Sequence, residues 1–256
     1  MVTAFCHLSV VPLRAAASHR SEMVSQVLFA EEFEILIEEP DWYYIRLLDT
    51  NYEGWIQHGQ FVMSTNSTAP VVTDHLSRIV DIGGANALVN GQEIRLVHGT
   101  KIPSGLLGDN RHALYSRIDS PLRTANLHDF DTELTKLVAY YKNSPYLWGG
   151  RTSYGIDCSG LSQVLYAHFG IPLPRDAYQQ AELGETVDFL TEVRRGDLAF
   201  FDNEEGRIIH VGLMLDTETV LHASASVRVD KMDSEGIFNR NWNRYTHKLR
   251  IVKRYF

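Results

Sequence analysis

Cysteine is scarce in this 256-residue chain. Cys6 and Cys158 are its only two, too few and too far apart for a disulfide framework, and that usage fits a reducing compartment. Excess positive charge is also missing: 24 Lys and Arg stand against 32 Asp and Glu, for a formal net charge of −8. Such a balance collects no phosphates and argues against nucleic acid as a partner. No apolar run approaches the roughly 18 residues of a membrane-spanning helix, so no membrane partner is expected. The first residues lack the basic patch and apolar stretch of a leader, since Cys6, His7 and Ser9 interrupt Met1 to Val11, and a cytoplasmic protein is expected. No His-Glu-x-x-His or Cys-x-x-Cys pair is present, so neither metal nor cofactor is expected. Gly83-Gly84 and Gly149-Gly150 lack the spacing of phosphate loops and read as turns.

What remains is ordinary globular material, 44% apolar and 22% charged, long enough for two domains or three small ones. Phe33 to Ile37, Trp42 to Leu48 and Gly54 to Ile56 carry strand signals, separated by Pro40-Asp41 and Asp49-Thr50-Asn51 turns. They predict a small all-β domain over residues 1–64. Ser64 to Pro70 is polar and aperiodic, as a linker is. Ala87 to Val89, Gln92 to Val97 and Ala113 to Arg117 predict a second small β domain over 65–127. The pattern changes at Asp129. Asp131 and Glu133 followed by Leu134, Leu137, Val138 and Tyr141 predict a helix with an acidic first turn. Asp157 is placed to cap a second helix, Cys158 to Phe169, which Gly170 and Pro172 end. Strand-like runs follow at Asp197–Phe201, Ile209–Leu215, Thr219–His222, Val227–Asp230 and Arg250–Tyr255. A helix packed on an antiparallel sheet, an α+β domain over 128–256, follows from that segregation.

Cys158 falls in the first turn of the capped helix, where free N–H groups and the helix dipole favour a thiolate. A helix N-terminus with an imidazolium beside it can bring a thiol from about 8.5 to between about 3.5 and 7.5. Downstream, Ile209-His210-Val211-Gly212 and Val220-Leu221-His222-Ala223-Ser224 offer two imidazoles. A thiol, an imidazole and a group to orient that imidazole are the parts a cysteine hydrolase needs. Whether the histidines meet depends on their hairpin. Centred on Asp216, it sets 210 and 222 face to face; centred on Asp216 to Thr219, it offsets them by three residues onto opposite faces of the sheet.

Pro145-Tyr146-Leu147-Trp148-Gly149-Gly150, Asp157-Cys158-Ser159-Gly160, Pro172-Leu173-Pro174-Arg175-Asp176, Arg195-Gly196-Asp197-Leu198, His210-Val211-Gly212 and Leu221-His222-Ala223-Ser224 occur in order. In this the chain resembles the NlpC/P60 cysteine peptidases over residues 128–256. Leu13-Arg14, Ser21 to Gln26, Asp41-Trp42-Tyr43 and Tyr52 to Ile56 are similar to the bacterial SH3-like domains of the cytoplasmic γ-D-glutamyl-L-diamino acid endopeptidases. The resemblance implies a papain-like peptidase domain preceded by two SH3-like domains. It makes Cys158 the nucleophile, His210 the base and His222 its orienting group, with the histidines facing. The Cys158 N–H and the Tyr146 hydroxyl become candidate oxyanion donors. The implied substrate is a murein tripeptide or tetrapeptide with a free N-terminal L-Ala, cleaved between γ-D-Glu and meso-diaminopimelate or L-Lys during wall-peptide recycling. Asp157 and Glu22 are candidates for the substrate ammonium, and Tyr52 and Ser159 for further contacts. Arg175 and Asp176 either line the site or pair with each other, and Asp157 doubles as a helix cap. Ala177 departs from the hydroxyl residue that some relatives carry there.

Two other readings keep the fold and change the role. One is an exported hydrolase acting on intact wall, against which the missing leader and negative charge count. The other is a wall-binding module with an inactive peptidase, against which intact Cys158, His210 and His222 count. Cys6, without cap or partner, reads as a packed thiol. His247 reads, with His7, His19, His58, His75, His98, His112, His128 and His168, as an ordinary surface or core residue.

Overall fold

The computed structural model describes residues 2–63, 78–89, 91–103, 115–119 and 122–256. The chain forms two compact units, Met1–Leu127 and His128–Phe256. The expected boundary at residues 64 and 65 and the linker around it lie outside the described residues.

The first unit opens with β1 (Thr3–Cys6), β2 (Val10–Arg14), β3 (Met23–Leu28), β4 (Glu32–Glu38), β5 (Trp42–Leu47), β6 (Glu53–Gln57) and β7 (Phe61–Met63). They join in one sheet in the order β3-β2-β6-β5-β4-β1-β7, around a core of Leu13, Val27, Phe33, Ile45 and Ile56. Six further strands follow: β8 (Arg78–Val80), β9 (Ala85–Val89), β10 (Gln92–Leu96), β11 (Lys101–Ile102), β12 (Tyr115–Asp119) and β13 (Leu122–Thr124). They form two three-stranded sheets, β10-β9-β12 and β11-β8-β13. Phe29 and Ala30, from the turn after β3, pack into the core of this second set beside Val80, Ala87, Leu96 and Ile102, so the two stretches share buried surface.

The second unit opens with α1 (Phe130–Tyr141), which buries Leu134, Leu137 and Tyr141 as the heptad-like spacing requires. Then come β14 (Arg151–Thr152), β15 (Gly155–Ile156), α2 (Cys158–His168), α3 (Ala177–Ala181) and β16 (Glu185–Thr186). The main sheet is made by β17 (Leu198–Asp202), β18 (Ile208–Met214), β19 (Thr219–Ser224), β20 (Ser226–Met232), β21 (Gly236–Asn239) and β22 (Arg244–Arg254), with β16 at one edge.

The sheet closes on itself. Eleven residues make β22 long enough to pair twice: Lys248 to Lys253 lie along β17, while Arg244 to Lys248 lie along β21. Closure removes the exposed edges that an open sheet of this order would present. The helix-on-sheet arrangement expected from the sequence is present, and α2 packs across β18 and β19.

Candidate active site

The site begins at the N-terminus of α2. The Asp157 side chain accepts from the Gly160 N–H at 2.7 Å, which caps the helix and fixes Cys158 in its first turn. Gly160 must be glycine, because a Cβ there would run into the Gly150 carbonyl oxygen. The loop carrying Tyr146 is tied down by Leu147 N–H to Ile156 O, Ile156 N–H to Pro145 O and Tyr146 N–H to Ala225 O. It is thereby held to the strand before the helix and to the turn between β19 and β20.

Neither anticipated hairpin register is the one formed. Asp216, Thr217 and Glu218 make the turn, Leu215 N–H donating to Thr219 O, and His222 lies opposite Gly212 rather than His210. A shift of two residues keeps both histidines on one face, so they meet on the diagonal. His210 Nε2 lies 2.9 Å from His222 Nδ1. Gly212 makes room for this: a Cβ there would sit 2.5 Å from Val220 Cγ2 and 3.1 Å from the His222 Cβ. His222 Nε2 is in turn 3.0 Å from Asp230 Oδ2 on β20. With Nε2 of His210 engaged by His222, its Nδ1 is the ring nitrogen left outside that bond. Cys158 reaches the same strand, its sulfur hydrogen-bonding the backbone of Val211, next to His210.

The electrostatics differ from the expected preformed thiolate. Burial pushes the Cys158 thiol up to about 12, and the Asp157 charge adds to this; hydrogen bonds from the Val211 and Ser159 backbone and the Arg175 charge oppose it without prevailing. Burial drives His210 well below its ordinary value, helped by His247 and His222. Both shifts favour the uncharged forms, S–H on Cys158 and a neutral imidazole on His210. Burial and the nearby Cys158 raise Tyr146, which keeps its phenol O–H available as a donor.

Asp157 does more than cap. Arg175 binds it through both guanidinium ends, Nη1 to Oδ1 at 3.1 Å and Nη2 to Oδ2 at 2.5 Å, and the Gly149 N–H donates to Oδ2 at 2.8 Å. Ser159 Oγ accepts from Arg175 at 2.8 Å and lies 3.3 Å from Asp157 Oδ1. The carboxylate thus serves five donors. Asp176 begins α3, where it and Gln179 form a capping box. Cys158, His210, His222, Tyr146, Asp157, Ser159 and Arg175 are accordingly gathered in one unit. Glu22 and Tyr52 belong to the other: Glu22 is exposed beside β3, and Tyr52 packs against the core of the seven-stranded sheet.

Two site residues escaped the sequence reading. His247, on β22, stacks on His210 with ring centroids 4.0 Å apart and planes 24° from parallel. Barrel closure brings it there, and no local pattern encodes that closure. Asp230 was legible only as an acidic residue in an otherwise strand-like run. Nitrogens of His210, His222 and His247 lie within 4.8 Å of one another. His210 Nε2 and His222 Nδ1 already engage each other at 2.9 Å, so a metal taking those nitrogens would have to displace that hydrogen bond.

A cysteine at a capped helix N-terminus, against a hydrogen-bonded histidine pair on an antiparallel sheet, defines a hydrolase of the cysteine-peptidase type. The profile of the NlpC/P60 family matches residues 143–250, and that of the bacterial dipeptidyl-peptidase SH3 domain matches residues 13–61. Escherichia coli probable endopeptidase NlpC is 33% identical over 124 residues, covering 46% of this chain and 80% of that protein. The γ-D-glutamyl-L-lysine dipeptidyl-peptidase of Bacillus subtilis is 29% identical over 220 residues, covering 78% of this chain and 71% of that one. The fold is shared with a crystal structure of an NlpC/P60 family protein from Bacillus cereus, at TM-score 0.78 and 19% identity over 99% of both chains. This chain belongs to the NlpC/P60 family and is a peptidase.

Proposed function

We propose that the protein hydrolyses the bond between γ-D-Glu and a diamino acid, meso-diaminopimelate or L-Lys, in murein stem peptides with a free N-terminal L-Ala, releasing L-Ala-D-Glu. The observation that carries this reading is the joining of a Cys158–His210–His222 site to a bacterial dipeptidyl-peptidase SH3 domain in one chain. The name of the Bacillus subtilis relative agrees with that bond. In this reading Cys158 Sγ attacks the γ-carbonyl while its proton passes to His210 Nδ1. His210 protonates the departing amine of the diamino acid, and water then attacks the thioester with His210 as base. The oxyanion is held by the Cys158 N–H and the Tyr146 hydroxyl.

Recognition of the substrate ammonium is assigned to Asp157, which shares its oxygens with Arg175. Ser159, Arg175 and Asp176 complete the proposed lining within the peptidase unit. Division of the chain at 1–64, 65–127 and 128–256 belongs to the same reading, with the first two parts as SH3-like domains. Two free thiols, Cys6 and Cys158, agree with a cytoplasmic role in recycling wall peptides. Among the described residues no helix is long and apolar enough to cross a membrane.

The test is mass spectrometry of L-Ala-γ-D-Glu-meso-diaminopimelate and its L-Lys counterpart, with and without EDTA, using wild type and Cys158→Ala. Release of L-Ala-D-Glu by wild type alone, unaffected by EDTA, is expected. Turnover of N-acetylated and free peptides at equal rates would overturn the ammonium assignment. Activity on intact sacculi with none on the free peptides would overturn the substrate assignment.

A further inference from the structure

The two histidines of the site end on a buried carboxylate. Asp230 is 8% exposed, and its Oδ2 lies 3.0 Å from His222 Nε2. Arg228, two residues earlier on β20, donates from Nη2 to Oδ1 at 2.8 Å and forms an ion pair with the carboxylate, its Nε 2.7 Å from Oδ2. From the geometry we infer that Asp230 is a positioning residue that sets the tautomer of both histidines, and so leaves Nδ1 of His210, the nitrogen not bonded to His222, without a proton.

Donor and acceptor counting gives the direction. An ionised carboxylate accepts only, so His222 must carry its proton on Nε2. A neutral His222 then offers a lone pair at Nδ1, and His210, 2.9 Å away, must donate from its own Nε2. That leaves His210 Nδ1 unprotonated and able to take the Cys158 proton. When it does, the S–H bond breaks and an N–H bond forms at Nδ1. The imidazolium that results is stabilised through His222 by the Asp230 charge. Burial would otherwise raise the Asp230 carboxyl; the His222 and Arg228 hydrogen bonds outweigh this and hold it below its ordinary value, so it stays ionised.

The charged groups around this chain come from every neighbouring strand. His247 on β22 faces both histidines, Arg228 and Asp230 lie on β20, and Asp157 and Arg175 face the thiol. Asp230 is the one carboxylate bonded to the histidine pair among the described residues. Reversing both tautomers would set two acceptors, the bare His222 Nε2 and the Asp230 carboxylate, face to face at 3.0 Å, which the buried setting does not tolerate.

This inference rests on the assignment of Cys158 and His210 as nucleophile and base, and its tests need no substrate. Nitrogen-15 NMR of histidine-labelled wild type at neutral pH should show His210 and His222 both protonated at Nε2; His222 protonated at Nδ1 overturns the proposal. The rate of Cys158 alkylation by iodoacetamide is read from the Cys158 peptide. Asp230→Ala and Asp230→Asn should lower it at neutral pH by about 10- to 100-fold. In these variants the rate should climb steeply with pH, whereas wild type stays flat. Asp230→Glu, which retains the carboxylate, should recover part of the loss. Unchanged alkylation profiles in folded Asp230→Ala protein would overturn the inference and leave the peptidase assignment standing. Failure of wild type to cleave the peptides would remove the substrate assignment and leave the tautomer result intact.

Discussion

Gly212 stands directly across the sheet from His222, and the absence of a side chain at one permits the position of the other. A methyl group at 212 would be forced against Val220 Cγ2 at 2.5 Å and against the His222 Cβ at 3.1 Å. Gly212→Ala should therefore cost about 1 to 3 kcal/mol of stability through overpacking. Its larger effect should be on turnover, because the shift displaces His222 from His210. Urea denaturation and peptide cleavage, measured together, separate the two effects.

Arg175 and Asp157 form an almost fully buried ion pair beneath the nucleophile. Removing one partner strands the other charge away from water. Arg175→Ala should destabilise the peptidase unit by about 3 to 5 kcal/mol, far more than loss of an exposed pair. Denaturant titration of the variant checks this, and retention of wild-type stability would contradict it.

Burial holds His247 down to about 4 and His210 well below 6.5. An imidazole with a lower pKa in the folded state binds more protons when unfolded. Its contribution is full above about 6.5 and is lost as pH falls through that value, for His247 down to about 4. Thermal stability should thus fall between pH 7.5 and pH 5. In His247→Phe, which keeps a ring over His210, the fall should be smaller by about 1 kcal/mol, discounted for the partial exposure of residue 247. Equal pH dependence in variant and wild type would contradict this.

Tyr146 keeps its proton and lies close enough to Cys158 to feel its charge. If its hydroxyl stabilises the developing oxyanion, Tyr146→Phe should lower kcat by about 100-fold with little change in KM. A change confined to KM would instead make Tyr146 a ground-state contact.

The capped helix that starts at Cys158 and the strands that carry His210 and His222 were legible because each is local. Asp157 and Cys158 are adjacent, and the capping signal needs only the residues that follow. The histidine register was not legible, since both hairpins considered agree equally well with the alternation of apolar residues; the three-residue turn at Asp216 to Glu218 decides it. The acidic end of the site and the stacked His247 were hidden for a different reason. Asp230 depends on the pairing of β20 with β19, and His247 on the closing of the sheet, which β22 achieves because each half of one long strand finds a different partner. Arg175 was expected to line the site or to pair with Asp176; it binds Asp157, 18 residues away, a distance that sequence patterns do not bridge. In the first unit Phe33 to Ile37, Trp42 to Leu48 and Gly54 to Ile56 became β4, β5 and β6, while β1 to β3 lacked a comparable alternation and were missed.

The central claim is that Cys158 forms a thioester with the γ-carboxyl of D-Glu. Acid-quenched enzyme, mixed for a short time with L-Ala-γ-D-Glu-meso-diaminopimelate and digested, reports it directly by mass spectrometry. The account predicts an L-Ala-D-Glu acyl group on the peptide containing Cys158, absent from Cys158→Ala and lost on longer incubation. Product release with no adduct on that peptide, or product release by Cys158→Ala at the wild-type rate, would contradict it.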